Sequence, residues 1–538
     1  MNRKYFLMLI TASILVLGSC KKNKVEPTPE PTRTELSLDS IFLYAKQVYY
    51  WNDQLPSYET FNPRKYKSGS NSLDNYKSAL FGIAGYSLNK YDVYQSSPKY
   101  SYISDKTTHN PSATGIFINN ETLAVDLSGN GHDVGIRLVS YLLDNTRTKY
   151  LPFVTAVYEN SPAEKAGIKR GSVITKVNGK AYGANYTNEG SELNDALKGD
   201  NVELELINYI TKATSKVTLK KVVYNSSPIY AKKVFTAGAK KIGYVNLARF
   251  SMLSSPRVPS DVDIDPVFNE FAAAGISDLI VDLRYNGGGY VLTAEYLANL
   301  IAPTSANGKV MYVEHYNSLM KKDGATILKN QPILDLEGKV QYVNGKIANY
   351  HENADYTEAG NTARFDKKPG SLSSVQNVVF LVTENTASSS ELLITALKPY
   401  VNVKLVGAPT YGKPIGFWPI VIENRYEVYY SMFESKNALG QGGYYTGLVP
   451  DYDENETSKY PDLWDDVTRD FGDVNEAYLA QAFKILAPGV TIQSSNPNER
   501  LAQSTGKGLN TLNNTKVFGK RNAGNGEFVG MVGAPRLK

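Results

Sequence analysis

Residues 375–418, VQNVVFLVTENTASSSELLITALKPYVNVKLVGAPTYGKPIGFW, decide how this chain folds. The apolar, β-branched run at residues 378–382 is bounded by polar residues and predicts a buried strand. Residues 391–397 are apolar on more than one face and predict a helix. Ser388 lies where the strand gives way to the helix. The first N–H groups of a helix lack intrahelical acceptors and carry the positive end of its dipole, so this junction is suited to hold a developing oxyanion.

The same segment has a purely structural interpretation. Ser388 and Glu391 have the spacing of a capping box, Ser-x-x-Glu before an apolar helix. In such a box both side chains bind backbone N–H groups at the start of the helix, and no chemistry is implied. Taken alone, the segment favours capping over catalysis.

Lys413, 25 residues after Ser388, gives the serine a candidate base. A serine hydroxyl is a poor nucleophile until a base takes its proton. A lysine can do so near pH 7 only when burial lowers its pKa and keeps the amine neutral. The neighbours Ile415, Phe417 and Trp418 are apolar and favour burial, although a surface lysine in a Gly/Pro turn remains the simpler alternative for the isolated motif.

Length and composition indicate a globular protein of several domains. The 538 residues suffice for roughly three or four domains. The net charge of +5 is small, and residues 501–538 alone carry six basic residues against Glu527. Only four histidines and one cysteine are present, and no GxSxG motif occurs. We therefore expect no metal, no cofactor, no nucleic-acid partner and no Ser-His-Asp triad.

The N-terminus is similar to a bacterial lipoprotein signal. Residues 1–4 are basic, residues 5–17 are apolar, and Leu-Gly-Ser-Cys follows, ending at Cys20, the single cysteine. The similarity implies a signal peptide at residues 1–20 and lipidation of Cys20, with an ordinary secretory signal as the alternative. We expect a lipid-anchored protein of the cell envelope, in the outer membrane, facing the periplasm or the outside. Residues 21–34 are a charged, Pro-spaced linker.

Two regions precede the segment that decides the fold. Residues 35–114 predict an N-terminal helical domain without chemistry. Residues 115–225 predict a β-rich domain, and the sequence NSPAEKAGIKRGSVITKVNGK at 160–180 closely resembles a PDZ domain of bacterial proteases. In PDZ domains a loop before a strand binds the carboxylate of a peptide, which then adds as a strand. The resemblance places this loop at Val134, Gly135 and Ile136, in DVGIRL; a plain strand end is the alternative.

Residues 226–490 predict an α/β core. The buried strand at 278–284 ends in Tyr-Asn-Gly-Gly-Gly, and a helix follows at 291–301. A triple-glycine turn exposes backbone N–H groups and allows a ligand to come close. It is not GxGxxG, so a dinucleotide site has little support. Beyond the core, residues 491–538 are Asn- and Gly-rich and predict a flexible tail.

Four motifs in this order carry a specific resemblance. They are Asp-Leu-Arg-x-Asn-Gly-Gly-Gly at 282–289, Thr-Ala-Ser-Ser-Ser-Glu at 386–391, Pro-Thr-Tyr-Gly-Lys at 409–413 and Gly-Leu-Val-Pro-Asp at 447–451. Together they look like the C-terminal processing (tail-specific) serine proteases, which use a Ser-Lys dyad on a crotonase/ClpP-like α/β core. The resemblance covers roughly residues 115–485, so the implied fold is that core with an inserted PDZ-like domain and an N-terminal helical domain.

The resemblance assigns roles to individual residues. It implies Ser388 as nucleophile, Lys413 as general base, and oxyanion N–H groups from Ser389 and from either Gly287 or Gly288. The implied activity is a serine endopeptidase that recognises unfolded or C-terminally marked proteins through its PDZ domain.

The sequence departs from the family pattern at one position. Many members carry a glutamine four residues after the lysine, where this chain has Phe417. Glu391 is a candidate for holding the site together in its place. A non-catalytic peptide-binding lipoprotein that retains the protease fold is therefore the alternative function.

Overall fold

The structure of this chain is a computed structural model, and it describes residues 30–107, 125–146, 148–256, 258–334, 339–368, 370–494, 519–522, 530–532 and 536–538. The predicted signal peptide with Cys20, and most of the linker at 21–34, lie outside the described residues. Within these described ranges, none of the helices has the length and apolar character that a membrane span requires.

The N-terminal segment packs directly on the α/β core. Its elements are α1 (Arg33–Val48), α2 (Tyr58–Phe61), α3 (Ser72–Ala84), β1 (Val93–Tyr94), β2 (Ser97–Pro98) and β3 (Tyr102–Asp105). Thr32 caps α1 and Glu35 completes a capping box, so the helix begins within the predicted linker. Leu38 and Phe42 of α1 share one hydrophobic core with Leu279 and Val281 of the α/β region. The predicted N-terminal helical domain therefore has no separate core.

A β-rich unit follows and has a core of its own. Its elements are β4 (Asn130–Gly131), β5 (Ile136–Leu142), β6 (Tyr150–Val157), α4 (Pro162–Lys165), β7 (Ser172–Val177), β8 (Lys180–Ala181), α5 (Tyr186–Leu197), β9 (Asn201–Asn208), β10 (Thr214–Lys220) and β11 (Tyr224–Asn225). The sheet runs in the order β10-β9-β7-β6-β5. Val177 pairs with Lys180, and Asn178 and Gly179 between them both have positive φ, as in the two-residue hairpin turns that Asn-Gly favours.

The α/β core occupies the rest of the chain up to residue 494. Its elements are β12 (Ile229–Ala237), β13 (Lys240–Leu247), α6 (Ile264–Ala274), β14 (Asp278–Asp282), β15 (Gly288–Tyr290), α7 (Val291–Ile301), β16 (Val310–Tyr316), α8 (Ser318–Lys321), β17 (Tyr342–Val343), β18 (Lys346–Ile347), β19 (Thr362–Arg364), β20 (Asn377–Val382), α9 (Ser389–Leu397), β21 (Asn402–Gly407), β22 (Ile415–Gly416), β23 (Pro419–Ile422), β24 (Tyr426–Tyr429), β25 (Phe433–Asn437), β26 (Tyr452–Asp453), α10 (Ala477–Leu486) and β27 (Ile492–Ser494).

The central sheet brings the predicted site loops to one edge. Its order is β26-β21-β20-β14-β13-β12-β27, and the pairs from β13 to β26 are parallel. Leu279 and Val281 of β14 face the core that contains α6, α7 and α9, while Ile280 faces the core that contains α10. The carboxyl ends of β14 and β20 lie side by side, so the loops that follow them meet there. This layered α/β arrangement with a β-rich unit confirms the predicted fold class.

Part of the C-terminal tail is also ordered into strands. β28 (Gly519–Asn522) pairs antiparallel with β5, and β29 (Gly530–Val532) pairs parallel with β15. β27 pairs with β12. For these residues the prediction of a flexible tail at 491–538 is wrong. Strand pairing uses backbone N–H and C=O groups, which an Asn- and Gly-rich segment supplies as well as an apolar one.

Candidate active site

Ser388 lies on a strained turn between β20 and α9. The strand ends at Val382 and the helix begins at Ser389, which confirms the predicted junction. Ser388 has φ 61° and ψ −113°, a backbone conformation that a residue with a side chain adopts only when its surroundings impose it. Such conformations cost on the order of 1–3 kcal/mol and cluster at functional sites. Nucleophilic serines of α/β hydrolases sit on comparably sharp strand-to-helix turns.

The hydroxyl of Ser388 takes the predicted capping-box position facing the N–H of Glu391 but makes no regular hydrogen bond there. Its side chain is fully buried, and Oγ has no hydrogen-bond partner among the residues that the structure describes. The carboxylate of Glu391, in contrast, accepts a hydrogen bond of 2.8 Å from the N–H of Ser388. The glutamate thus plays its part in the predicted capping box, while the serine oxygen is left uncommitted.

Glu391 joins the serine turn to the lysine loop. Its Oε2 accepts hydrogen bonds from the N–H groups of Ser388 and Lys413, each at 2.8 Å. Its Oε1 accepts from the N–H of Gly412 at 2.8 Å and from the hydroxyl of Thr410. The carboxylate is completely buried, and burial raises its pKa against the opposing effect of these hydrogen bonds. The suggestion that Glu391 holds the site together thus has a geometric basis, and capping and clamping coexist.

The amine of Lys413 is buried and its pKa is close to neutral pH. The side chain has no solvent exposure, and burial lowers the pKa to about 7. The carboxylates of Asp92 and Glu391 oppose this shift, and the charge of Lys99 adds to it. Burial thus makes the neutral amine accessible near pH 7, as a general base requires.

Phe417 takes the place of the glutamine that the resemblance leads one to expect. The Nζ of Lys413 lies 4.2 Å from the centroid of the Phe417 ring. The ring is itself buried, in edge-to-face contact with Tyr102 and Tyr429. An aromatic face attracts the charged form of the amine, so the ring of Phe417 helps to position Lys413.

Ser388 and Lys413 share a site without making a direct hydrogen bond. Their backbone N–H groups donate to the same oxygen of Glu391, whereas Ser388 Oγ is unpaired. Catalytic hydrogen bonds are often long in the absence of substrate and tighten only in the complex. The pair is therefore assembled through its backbone, and the proton-transfer contact still has to form.

The lysine loop is held by the N-terminal segment, which sequence reasoning had left without a function. Lys99 Nζ donates to the carbonyl oxygens of Tyr411, Gly412 and Tyr445, at 3.1, 3.3 and 2.7 Å. The hydroxyl of Tyr100 donates to Gly412 at 2.6 Å. These residues lie more than 300 positions away in sequence from the loop that they hold. The segment around them, DVYQSSPKYSY, contains no motif that could have revealed this contact.

Asp92 lies behind the same loop as a buried carboxylate. It accepts hydrogen bonds from the N–H of Tyr100 at 2.7 Å, the N–H of Ser101 at 3.1 Å, the hydroxyl of Tyr49 at 3.0 Å and the hydroxyl of Ser431 at 3.1 Å. Burial raises its pKa. This network joins the residues just before β3, the residue just after α1 and the segment after β24. The N-terminal segment is therefore part of the site.

The glycine-rich loop after β14 lies against the serine turn. The carbonyl oxygen of Asn286 accepts from the N–H of Ala387 at 3.1 Å and from Ser390 Oγ at 3.0 Å. The hydroxyl of Ser389 donates to the carbonyl of Gly289 at 2.8 Å. The loop and the first turn of α9 are therefore fixed relative to one another.

The structure favours one of the two candidate oxyanion glycines. The N–H of Gly288 already donates to Oδ1 of Asn286 at 2.9 Å. The N–H of Gly287 makes no hydrogen bond to any described residue. Ser389, the first residue of α9, has an N–H that lies beyond the reach of the helical ladder. Gly287 and Ser389 are therefore the better pair of donors for an oxyanion.

The predicted peptide-binding loop is tightly built. Gly135 has φ 82°, and a Cβ on it would lie 2.0 Å from Ser161 Cβ, so only glycine fits. Its N–H donates to Asp133 Oδ1 at 2.8 Å, and the carbonyl of Val134 accepts from Ala163 at 3.0 Å. The N–H of Gly135 is therefore engaged within the loop. The side chains of Val134 and Ile136 belong to the core of the β-rich unit.

A buried ion-pair network connects the β-rich unit to the glycine-rich loop. Arg170 of the β-rich unit and Arg284 at the end of β14 each lie 3.0 Å from Asp465. Arg284 also pairs with Glu476 at 2.9 Å. The hydroxyl of Tyr285, next to Asn286 in sequence, donates to Asp465 at 2.7 Å and accepts from Arg170 at 2.6 Å. All of these charged groups are paired, as burial demands.

Known families match the two units just described. Residues 241–453 match the profile of peptidase family S41, and residues 153–207 match a PDZ domain. The chain is 28% identical over 265 residues to the chloroplastic C-terminal processing peptidase of Tetradesmus obliquus, which covers 47% of this chain and 46% of that protein. It is 27% identical over 260 residues to the carboxy-terminal processing protease CtpA of Bacillus subtilis, covering 48% and 44%. The chain thus matches about half the length of these curated relatives.

A solved structure supports the same assignment at the level of the fold. A Bacteroides fragilis protein assigned to the S41 proteases superposes with a TM-score of 0.55 at 21% identity, covering 86% of this chain and 98% of that chain. At this identity the likeness shows the fold alone. Together, the matches show that residues 241–453 are similar to the S41 peptidases and that residues 153–207, in the same chain, are similar to a PDZ domain.

Proposed function

We propose that this chain is a serine endopeptidase of the C-terminal processing type, with Ser388 as the nucleophile and Lys413 as the general base. One observation carries the proposal: a serine on a strained turn and a fully buried lysine with a pKa of about 7 are tied to one carboxylate. The S41 match over residues 241–453 supports it. Lysines whose pKa is lowered by burial beside a candidate nucleophile are typical of active sites.

The first half of the reaction forms an acyl-enzyme. The neutral amine of Lys413 takes the proton of Ser388 Oγ while that oxygen attacks the carbonyl carbon of the scissile bond. The carbonyl oxygen becomes an oxyanion, and the N–H groups of Gly287 and Ser389 stabilise it. The Lys413 ammonium then protonates the leaving amine, the C–N bond breaks, and the acyl group remains on Ser388.

The second half releases the acyl group. Lys413, neutral again, takes a proton from a water that attacks the ester carbon. The same two N–H groups stabilise the second oxyanion. Its collapse breaks the bond to Oγ, and Lys413 returns its proton to the serine oxygen. The lysine thus serves as base and acid in both halves, which requires a pKa near the working pH.

We further propose that the substrates are the C-terminal tails of unfolded or marked proteins. The PDZ match supports this, because PDZ domains take an extended peptide as an added strand. The names of the relatives from Tetradesmus obliquus and Bacillus subtilis describe C-terminal processing.

The test is hydrolysis of casein, as a denatured protein, by the full chain. Ser388→Ala and Lys413→Met should each abolish turnover, because one removes the nucleophile and the other the base. Lys404→Met is the matched control: Lys404 is partly exposed and pairs with Asp451 on the surface, so its loss should leave turnover unchanged. Undiminished turnover in both site variants, with circular dichroism showing that all are folded, would overturn the assignment.

A second candidate function is peptide binding without catalysis. It is favoured by the unpaired Ser388 Oγ and by Phe417 at the position of the family's glutamine. A fluorophosphonate, which reacts with activated serines, separates the two functions. Labelling at Ser388 supports the peptidase, whereas peptide binding without labelling supports the binding protein.

For localisation we propose a lipid anchor on Cys20 that holds the protein at the cell envelope. The basic, apolar and Leu-Gly-Ser-Cys segments of residues 1–20 support it. In cells, Cys20→Ser should move the protein from the membrane fraction to the soluble fraction and abolish incorporation of labelled palmitate. Unchanged fractionation together with no incorporation in the unaltered protein would contradict the anchor.

A further inference from the structure

The β5 edge of the PDZ sheet is occupied by a C-terminal segment of the same chain. β28 pairs antiparallel with β5, with Gly519 opposite Leu142 and Asn522 opposite Val139. It therefore runs toward the loop at residues 134–136, which precedes β5. A peptide whose C-terminus reached that loop while it paired with β5 would run in the same direction. β28 thus uses the hydrogen-bonding edge that a peptide ligand of this domain needs.

A second piece of the same tail lies against the candidate active site. β29 pairs parallel with β15, with Gly530 opposite Gly288 and Val532 opposite Tyr290. It also lies beside β22, which begins two residues after Lys413. A substrate whose scissile carbonyl reaches both the glycine-rich loop and the lysine would run along these two elements. We call the space between β15 and β22 the substrate channel.

Residues 536–538 are anchored on the core domain by backbone hydrogen bonds and charge. The carbonyl of Arg536 accepts from the N–H of Asp355, and the N–H of Lys538 donates to the carbonyl of Asn353, both at 2.8 Å. Lys538 also pairs with Asp323 at 3.1 Å on the surface. The final residues therefore have defined partners on the core domain.

Arg536 also forms an ion pair with a carboxylate of the core domain. Its guanidinium lies 3.1 Å from Glu295 Oε1, which also accepts from the hydroxyl of Tyr312 at 2.6 Å. Burial raises the pKa of the neighbouring Glu314 to about 8, and the charge of Arg536 opposes that shift. The charge of Arg536 thus stabilises the ionised forms of two buried carboxyl groups of the core, those of Glu295 and Glu314.

We propose that β28, β29 and the anchor at residues 536–538 form an internal ligand, which occupies the PDZ edge and the substrate channel of the same chain and which substrate must displace. Both strands bind through backbone hydrogen bonds, as an incoming peptide would. Only the expected effect on turnover rests on the proposed function. The occupancy of the two strand edges by the tail does not depend on it. A tethered ligand acts at an effective concentration in the millimolar range, so a free peptide should bind the intact chain about tenfold or more weakly than a chain with the tail released.

The test measures binding of a fluorescent peptide of residues 519–538 to the full chain carrying Ser388→Ala, by anisotropy. The double variant Arg521→Pro, Met531→Pro weakens both strands, since proline cannot donate a ladder hydrogen bond. The matched control is Arg521→Ala, Met531→Ala, which keeps every backbone N–H. We expect the proline variant to bind the peptide at least about tenfold more tightly than the alanine variant and the intact tail.

Two results would overturn the inference: equal peptide affinity in all three proteins, or no binding to any of them. Hydrogen exchange gives a second measure, since the amides of β5 and β15 should lose protection in the proline variant only. Neither readout needs catalysis, so a failure of the peptidase assignment is distinguishable from a failure of the internal ligand. With Ser388 intact, the proline variant should cleave casein faster than the alanine variant.

Discussion

Glu391→Gln tests the claim that one carboxylate holds the serine turn and the lysine loop together. Glu391 accepts hydrogen bonds from three backbone N–H groups, each at 2.8 Å, and from the hydroxyl of Thr410. Both oxygens are used, and the side chain is fully buried. A glutamine of the same shape replaces one acceptor oxygen by an NH₂ group, which would point at N–H donors whichever way the amide is turned.

The cost follows from the count of lost acceptors. With the amide nitrogen at the Oε1 position, the N–H of Gly412 loses its acceptor; at the Oε2 position, the N–H groups of Ser388 and Lys413 lose theirs. A buried donor left unsatisfied costs about 1–3 kcal/mol, so the smaller loss alone destabilises the folded state by about that amount. The amide NH₂ group would also face a backbone N–H, and this repulsion adds to the cost. We expect the free energy of unfolding to fall by roughly 2–4 kcal/mol in total.

Urea unfolding of the variant and of the unaltered chain measures this difference. The control is Glu35→Gln, which alters the same position of a capping box at α1, where Glu35 accepts from the N–H of Thr32 at 2.8 Å near the surface. That change should cost under about 1 kcal/mol. Equal stabilities for Glu391→Gln and the unaltered chain would refute the clamp, and so would casein turnover that Glu391→Gln leaves intact.

Three further changes probe the environment of the base and the link between the domains. Phe417→Leu removes the ring that favours the charged amine of Lys413, so the rise of kcat/KM with pH should move to lower pH by roughly 0.4 to 1.5 pH units, since such contacts are worth about 0.5–2 kcal/mol. Lys99→Met removes a like charge, so the pKa of Lys413 should rise and the same limb should move to higher pH; a shift in the other direction would contradict the assignment. Arg170→Met removes one of the two arginines that pair with the buried Asp465. It should lower the free energy of unfolding in urea by about 3–5 kcal/mol, whereas the loss of an exposed ion pair would change it little.

The local elements of this fold could be read from the sequence because their signals are local. The helix predicted at 291–301 has those bounds, and the strand predicted at 378–382 is extended by one residue, to Asn377–Val382. The turn at Asn178 and Gly179 follows from the φ > 0 that these residues tolerate. The four motifs also predicted which loops meet, because the carboxyl ends of neighbouring parallel strands lie at one edge.

The details that distinguish this site depend on contacts remote in sequence. Lys99 reaches the lysine loop from more than 300 residues away through backbone carbonyl groups, which leave no pattern in the sequence. The carboxylate of Asp92 acts on Lys413 through its charge, from a similar distance in sequence. The spacing of Ser388 and Glu391 is the same for a capping serine and an uncommitted one, and only the hydrogen bonding of Ser388 Oγ in the structure distinguishes them. The strands of the tail add through backbone groups, so composition carried no signal for them.

The central claim is that Ser388 is activated by a buried lysine that is neutral near pH 7. The direct measurement is the rate at which a fluorophosphonate labels Ser388 in the full chain, followed from pH 5 to 10 by mass spectrometry of the labelled peptide. The account predicts a rate that rises with pH, with a midpoint at about 7, and no labelling in Lys413→Met. No labelling of Ser388 at any pH, or equal labelling with and without Lys413, would contradict it.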